Sequence, residues 1–415
     1  MNVLPKLFNY LKSPGYLKEV LFFKIEKILT EFNIKKSKKY KLVILDDIFP
    51  HAFSAFRFIE FNYYLEQIDD LHVFTTGDAL KSIHEEKNIL DIIYEFSLSF
   101  PHHKGKISKF NHHQLISAEL AYIVFSGNVL PRLEMLEKNN IPFVFTLYPG
   151  FGLRLDDPAS DSDLRRIFTS PKFRKVIVTQ KVVYDYLLKN SLCPEENIEF
   201  IYGVVLPCSK YLASNLSKEL YPNHKITIDI CFVANKQMEK GIDKGYDVFI
   251  AAAHLLAERF ENIFFHVVGP YSEKDIDVSA ISSRILFYGR LKTDEFPGFY
   301  SRMDLILSPN RSNILAKGAF DGFPTGACTE AGLNGVALFV ADDLNQNIKF
   351  TNGDDIIIIE PTAEDIVKKV SYFYHNMEQL YTIAGKGKEK IIEIYKEEAQ
   401  LKPRLNLLLN NIRNN

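Results

Sequence analysis

The sequence predicts two α/β domains, each built on a parallel sheet, facing one another across a cleft, with a basic amphipathic helical extension at the N-terminus. Three observations lead there. The chain has 415 residues, more than one hydrophobic core usually serves. From residue 41 onward, short apolar or β-branched runs alternate with helix-period stretches, which is the pattern of βαβ units. That rhythm is interrupted once, by a polar stretch around residues 207–224 with two prolines, and then restarts.

The first forty residues hold nine lysines against three glutamates, a local charge of +6 in a chain whose net charge is −2. After Pro14-Gly15, Leu17, Leu21, Ile25, Ile28 and Phe32 draw an apolar stripe along one helix face. This segment, 1–40, either docks on the first domain or lies at an anionic membrane surface with its lysines toward the headgroups. Residues 41–210 form the first domain, with strands expected at 41–45, 71–75, 122–125, 142–146, 175–179 and 198–202 and helices at 52–67 and 181–189. Residues 225–395 form the second, with strands at 228–233, 263–268, 285–288, 303–307, 337–340 and 355–359 and a helix at 246–259. Residues 396–415 are expected to form a C-terminal helix that packs back toward the first domain.

Composition narrows the function. The apolar share is 47% and the charged share 25%, a globular profile. Without a global basic field, nucleic acid is not an expected partner. The four cysteines, Cys193, Cys208, Cys231 and Cys328, form no C-x-x-C pair, and no secretory signal precedes them, so a reducing, cytoplasmic setting is expected. No apolar run approaches the roughly 18 residues that span a bilayer, which leaves peripheral attachment at the inner face of the cell membrane through residues 1–40.

Open parallel sheets bind ligands beyond the C-terminal ends of their strands. There the second half offers Gly269-Pro270, Gly289-Arg290 and Ser308-Pro309-Asn310. A small-residue loop, Asp321-Gly-Phe-Pro-Thr325-Gly326-Ala327-Cys328, runs into a helix with Glu330 near its start. Free amides at a helix N-terminus can cradle a diphosphate, and a carboxylate can accept from ribose hydroxyls. The same residues also fit a tight connection with a solvated acid. Lys244-Gly245 leads into the helix at 246 and can aim an ammonium at the same phosphates, although a lone Lys-Gly is usually surface.

Taken together, Lys244-Gly245-Tyr246-Asp247, Val267-Val268-Gly269, Phe287-Tyr288-Gly289, Asp304-Leu305 before Ser308-Pro309, Phe323 through Glu330-Ala331, Gly335-Val336 and Asn352-Gly353-Asp354 resemble the retaining GT-B-fold glycosyltransferases of family 4, the group 1 type. The resemblance implies two Rossmann-like domains and a hexosyltransferase-type enzyme. It would move a sugar from a nucleotide-diphosphate donor to a glycan or lipid-linked acceptor in cell-surface polysaccharide synthesis. The nucleotide sugar is a co-substrate, and no cofactor is implied. It assigns Glu330 to the ribose and Lys244 to the diphosphate. The loop before Glu330, with Thr325, Gly326 and Ala327, goes to donor sugar and phosphate; from their strand exits, Gly269 and Gly289 are further donor-site candidates.

The sequence also departs from the pattern. The family's two glutamates stand eight positions apart, whereas here Gly322 is eight before Glu330 and Asp321 nine before. Asp321 is therefore the candidate for the donor sugar. The arginine that usually accompanies the lysine has no direct match, which leaves Asn235, Lys236 or Arg290 to fill the gap. Asp46-Asp47-Ile48-Phe49-Pro50-His51 replaces the paired glycines after the first strand. The loop Tyr148-Pro149-Gly150-Phe151-Gly152-Leu153-Arg154 lacks the usual histidine, with Tyr148 nearest. His51, Tyr148, Gly150, Gly152 and Arg154 are the candidates for the acceptor or sugar pocket.

No metal site is expected: His102-His103 and His112-His113 come without a carboxylate or cysteine at ligand spacing, and Asp161-Ser-Asp163 reads as a helix cap. Two alternatives stay open. One is an inverting transferase or epimerase of the same fold, with Asp47 or His51 as its catalytic group. The other is a non-catalytic subunit that binds a sugar nucleotide.

Overall fold

The computed structural model describes residues 38–83, 85–111, 115–208 and 216–413. The amphipathic reading of 1–40 and the pair His112-His113 therefore fall outside the described residues, except for 38–40.

The first domain contains β1 (Lys39–Asp46), α1 (Ala55–Gln67), β2 (Leu71–Thr75), α2 (Ile89–Ser99), β3 (Ile107–Lys109), β4 (Ser117–Val124), α3 (Ser126–Val129), α4 (Leu133–Lys138), β5 (Phe143–Leu147), α5 (Pro158–Phe168), β6 (Phe173–Val178), α6 (Lys181–Lys189) and β7 (Ile198–Phe200). Its seven strands lie in the order β3-β2-β1-β4-β5-β6-β7, every pairing parallel. The second contains β8 (Ile228–Val233), α7 (Tyr246–Arg259), β9 (Ile263–Val268), β10 (Ile285–Phe287), α8 (Phe296–Tyr300), β11 (Leu305–Ser308), α9 (Gly326–Leu333), β12 (Ala337–Ala341), β13 (Ile357–Ile359), α10 (Ala363–Tyr374), α11 (Met377–Tyr395) and α12 (Glu397–Arg413). Its sheet order is β10-β9-β8-β11-β12-β13, again all parallel.

Central strands of such sheets are covered on both faces, so they read as unbroken apolar runs rather than alternating ones. Leu42 through Leu45 are fully buried, as are Val144 and Phe145 at the centre of β5. The strand order reverses between β1 and β4 in one domain and between β8 and β11 in the other. Loops leaving neighbouring strands diverge at such a reversal and open a crevice. Asp46-Asp47 sits at the first reversal, and Ala234-Asn235 and Pro309-Asn310 follow the two strands that flank the second.

Several boundaries differ from expectation. The first strand begins at Lys39, inside the expected extension, because it pairs with Ser117 on β4. The edge strand β3 has only three residues, too short to show a period. Asp157, not Asp161, caps α5, accepting from the amides of Ala159 and Ser160. Asp161 is one turn in, where its Oδ1 accepts from the Tyr186 hydroxyl at 2.6 Å.

The chain crosses between the domains twice. After α11 it turns at Lys396, and α12 runs back over the first domain, where Leu405 and Leu408 join the core around Phe61 and Tyr122. Arg404 is fully buried there. Its Nη1 donates to Gln400 O at 2.8 Å and its Nη2 to Gly203 O at 3.3 Å, and Gln400 Nε2 donates to Tyr202 O at 2.9 Å. Further contacts bridge the cleft: Arg290 Nη1 donates to Ile83 O at 2.9 Å and Leu155 N to Gly318 O at 2.9 Å. Among the described residues no helix is long and apolar enough to cross a membrane.

Candidate active site

Two adjoining cavities occupy the cleft. One, of about 690 Å³, is lined by the strand exits of the second domain, including Asn235, Gly269 and Arg290, with Ala327, Glu330 and, from the first domain, His51. The other, of about 730 Å³, lies on the first domain's side and includes Asp47, Arg57 and Phe125, with Gly326, Ala327 and Glu330 opposite. Both volumes suit a small-molecule ligand. Glu330 and Ala327 border both, so the head of α9 stands between two compartments.

The loop into α9 explains that position. Thr325 is the N-cap, its Oγ1 accepting from Cys328 N at 3.4 Å, and the helix begins at Gly326. The first amides of α9 lack intrahelical acceptors and, with the dipole, make this end electropositive. Gly332 lets α9 pack on α11, since a Cβ there would lie 2.2 Å from Ile391 Cδ1.

Lys244 is held by the short turn before α7. Gly245, at φ 71°, permits that turn; a Cβ there would lie 2.0 Å from Pro309 O. Lys244 is only 7% exposed, and its Nζ lies 2.8 Å from each carboxylate oxygen of Asp321 and 3.5 Å from Asp243 Oδ2. Asn310 Nδ2 donates to Asp321 Oδ2 at 2.6 Å. Burial pushes the Asp243 carboxyl up; Lys244 opposes that shift and Asp321 adds to it. Two residues read separately from the sequence, one toward phosphate and one toward sugar, thus meet as an ion pair.

The remaining candidates divide. Gly269 lines the 690 Å³ cavity, and a Cβ there would lie 2.0 Å from Ala234 O, so a side chain would close the strand exit. Arg290 lines it too, with Nη2 3.4 Å from Asn235 Oδ1. Gly289 stands behind, its carbonyl accepting from Gly269 N at 2.8 Å. Lys236 pairs instead with Asp275 at 2.8 Å. His51 Nε2 lies 3.0 Å from Glu85 Oε2, and its Nδ1 accepts from Phe53 N at 3.2 Å.

In the loop after β5, Tyr148 is a correction to the sequence reading. At 6% exposure it is a core residue behind the pocket wall, packed on Phe56 and Phe125 at ring distances of 5.1 and 5.7 Å. Burial pushes its hydroxyl well above the usual range. Phe151, between Gly150 and Gly152, reaches the cavity in its place. Gly152 seats this loop against α3, where a Cβ would lie 2.6 Å from Gly127 N. Arg154 is exposed, 3.5 Å from Asp157.

Beside His102-His103 the fold places a carboxylate that spacing does not show: potential ligand atoms of Glu66, His102 and His103 lie within 4.8 Å of one another. Glu66 lies in the last turn of α1, too distant in sequence for a spacing argument to find.

Sequence reasoning missed the apolar wall of the first domain's cavity, Phe53, Phe56, Phe125 and Phe151, and the cation beneath it. Arg57 Nη1 bridges Asp46 Oδ2, at 2.9 Å, and Asp47 Oδ1. The available signal was the aspartate pair one strand exit before an arginine on the next helix.

Residues 249–402 match the family model described as glycosyl transferase-like. The chain is similar to the crystal structure of a glycosyltransferase from Rickettsia africae, with TM-score 0.63 and 14% identity over 91% of this chain and 100% of that one. It is also similar to Anabaena HepE in complex with UDP, with TM-score 0.65 and 13% identity over 89% and 100%. A third similar structure is a sucrose-phosphate synthase from Thermosynechococcus elongatus, with TM-score 0.60 and 11% identity over 90% and 99%. No curated protein sequence matches the chain. At these identities the likeness shows the fold: two Rossmann-like domains in the GT-B arrangement, the second carrying the glycosyl transferase-like match.

Proposed function

We propose that this chain is a retaining, metal-independent glycosyltransferase that moves a hexose from a nucleotide-diphosphate sugar to a glycan or lipid-linked acceptor, in cell-surface polysaccharide synthesis at the cytoplasmic face of the membrane. One observation carries the reading: the head of α9, with Glu330, borders two adjoining cavities at the reversal points of two parallel sheets. A donor in one and an acceptor in the other would meet at Gly326-Ala327. The complex of HepE with UDP supports a uridine nucleotide as the first donor to test.

In this reading Glu330 accepts from the ribose hydroxyls, and the nucleotide base lies along Gly269 and Arg290. The amides of Gly326 and Ala327 and the Lys244 ammonium take the diphosphate. Asp321, with Asn310 beside it, faces the transferred sugar, and the loop 148–154 forms the opposite wall through Phe151. As the sugar–phosphate bond lengthens, charge builds on the leaving diphosphate. Preorganised donors stabilise that charge without reorganising. The acceptor hydroxyl arrives on the same face, and the leaving phosphate oxygen takes its proton.

Thermal shift across a panel of nucleotide sugars identifies the donor, because a specific ligand stabilises the fold with its occupancy. Proton NMR of the product then reads the anomeric configuration. Retention is expected, and inversion would overturn that part of the proposal. Inversion keeps one observation in its favour, since Asp47 lines the cavity opposite Glu330. Absence of stabilisation by any nucleotide sugar would overturn the reading as a whole.

A further inference from the structure

The first domain's cavity has a chemistry of its own. Phe53 and Phe151 are 48% and 56% exposed, apolar surface left open inside a cleft rather than scattered on a convex face. Phe125 sits at the exit of β4 with φ 71° and ψ 139°, a positive-φ backbone that is strained for a bulky residue. Packing enforces it: the Phe125 ring meets Phe151 edge-on at 6.0 Å and Phe56 at 6.2 Å, and the Arg57 guanidinium lies 5.0 Å from its centroid. A Cβ on Gly127 would lie 2.8 Å from the Phe151 ring, so that ring too is seated.

The charged groups around this aromatic wall are mostly of one sign. Asp47, Asp78 and Glu330 line the cavity, and Arg57 is the one cation in its lining among the described residues. Its Nη1 is shared by Asp46 and Asp47, and its Nε is sealed from solvent. Arg57 holds only one oxygen of Asp47, Oδ1; Oδ2 has no hydrogen-bond partner among the described residues. Three carboxylates against one guanidinium that two aspartates already share leave the lining with a net negative charge.

We infer that this cavity is the acceptor subsite and selects a neutral acceptor, with an apolar ring face on Phe125 and Phe151 and a hydroxyl donating to Asp47 Oδ2, while anionic groups are excluded. The inference rests on the transferase reading and deepens it. A lipid-linked acceptor would keep its phosphates outside this pocket.

Phenyl β-D-glucopyranoside and phenyl β-D-glucuronide, which differ by one carboxylate, test it by calorimetric titration with and without UDP. The glucoside is expected to bind and the glucuronide to bind about tenfold more weakly or worse, as like charges in a confined site require. Asp47→Asn is expected to shrink that ratio about threefold or more. Asp78→Asn, at an exposed position, does the same without touching the Arg57 pair and serves if Asp47→Asn does not fold. Phe151→Ala weakens both probes and leaves the ratio unchanged. Equal binding of the two probes, no binding of the glucoside, or a ratio unmoved by either aspartate variant would overturn the inference. Failure of UDP to bind would instead count against the nucleotide-sugar reading, because the probes are also titrated alone.

Discussion

Lys244 Nζ lies 2.8 Å from both carboxylate oxygens of Asp321, 77 positions along the chain. A cation so placed is already neutralised, so under the proposed function the nucleotide has to compete with the aspartate for it. Asp321→Asn removes the competitor. It is expected to lower the melting temperature of the free protein, since a buried lysine loses its partner, and to raise UDP affinity about threefold or more. Turnover is expected to fall, because the proposed function gives Asp321 the contact with the transferred sugar. Lys244→Met is expected to weaken UDP about tenfold. Calorimetry on both variants decides: weaker UDP binding in Asp321→Asn would show that the pair positions the lysine for phosphate rather than withholding it.

Glu330 is expected to report on the nucleotide without any sugar present. Charge-assisted hydrogen bonds contribute roughly 1.5–3 kcal/mol, so Glu330→Gln should weaken free UDP about tenfold or more by the same principle. Unchanged UDP affinity in a folded Glu330→Gln protein would move the donor site elsewhere.

Transfer is expected to survive chelation, because a lysine and helix amides are the proposed diphosphate partners. Activity measured in EDTA, then with Mn²⁺ or Mg²⁺ restored, checks this. Loss on chelation with recovery on adding metal would contradict it. The Glu66, His102 and His103 group lines neither cleft cavity, so a cation held there would not stand in for a diphosphate-bound one.

The two-sheet architecture was legible because buried parallel strands write continuous apolar runs, and β8 (Ile228–Val233) and β9 (Ile263–Val268) fall where those runs do. That Gly269, at a strand exit, and Glu330, near a helix head, border a cavity was legible because their neighbours in sequence are their neighbours in space. What stayed hidden depends on long-range meeting. Nothing local to Lys244 points to Asp321, and nothing local to Glu66 points to His102. Phe125 and Phe151 look like core residues in sequence; only the fold shows that they line a cavity. Tyr148 erred the other way: it follows a strand exit but turns inward.

His72 predicts an acid sensitivity. Burial, helped by Lys38, lowers its pKa from the ordinary 6.5 to about 4, and its Nε2 lies 2.9 Å from Ser108 Oγ. The fold therefore favours neutral imidazole. The resulting stability is complete above pH 6.5 and is lost as the pH falls toward 4, amounting to about 3 kcal/mol. Denaturant unfolding at pH 7.5 and 4.5 should show a smaller acid loss for His72→Gln than for the parent protein. Identical losses would remove His72 as the cause.

The last prediction concerns the ion pair that fastens α12 to the first domain. Glu60 and Arg404 are both fully buried, with Arg404 Nε 4.0 Å from Glu60 Oε1. That oxygen also accepts from Tyr64, at 2.9 Å, and Tyr122, at 2.5 Å. Burial pushes the Glu60 carboxyl up, and Arg404 with the two tyrosines draws it back. Arg404→Met would leave Glu60 without its cation, and breaking a buried pair from one side costs about 3–5 kcal/mol. Adding Glu60→Gln removes the stranded charge while an amide oxygen still accepts from a tyrosine. The double variant is therefore expected to be more stable than Arg404→Met alone, with a coupling of about 1–3 kcal/mol in a double-mutant cycle. Urea midpoints of the four proteins measure it. If α12 is held only by Leu405 and Leu408, the two substitutions will add without coupling, and the electrostatic fastening would have to be abandoned.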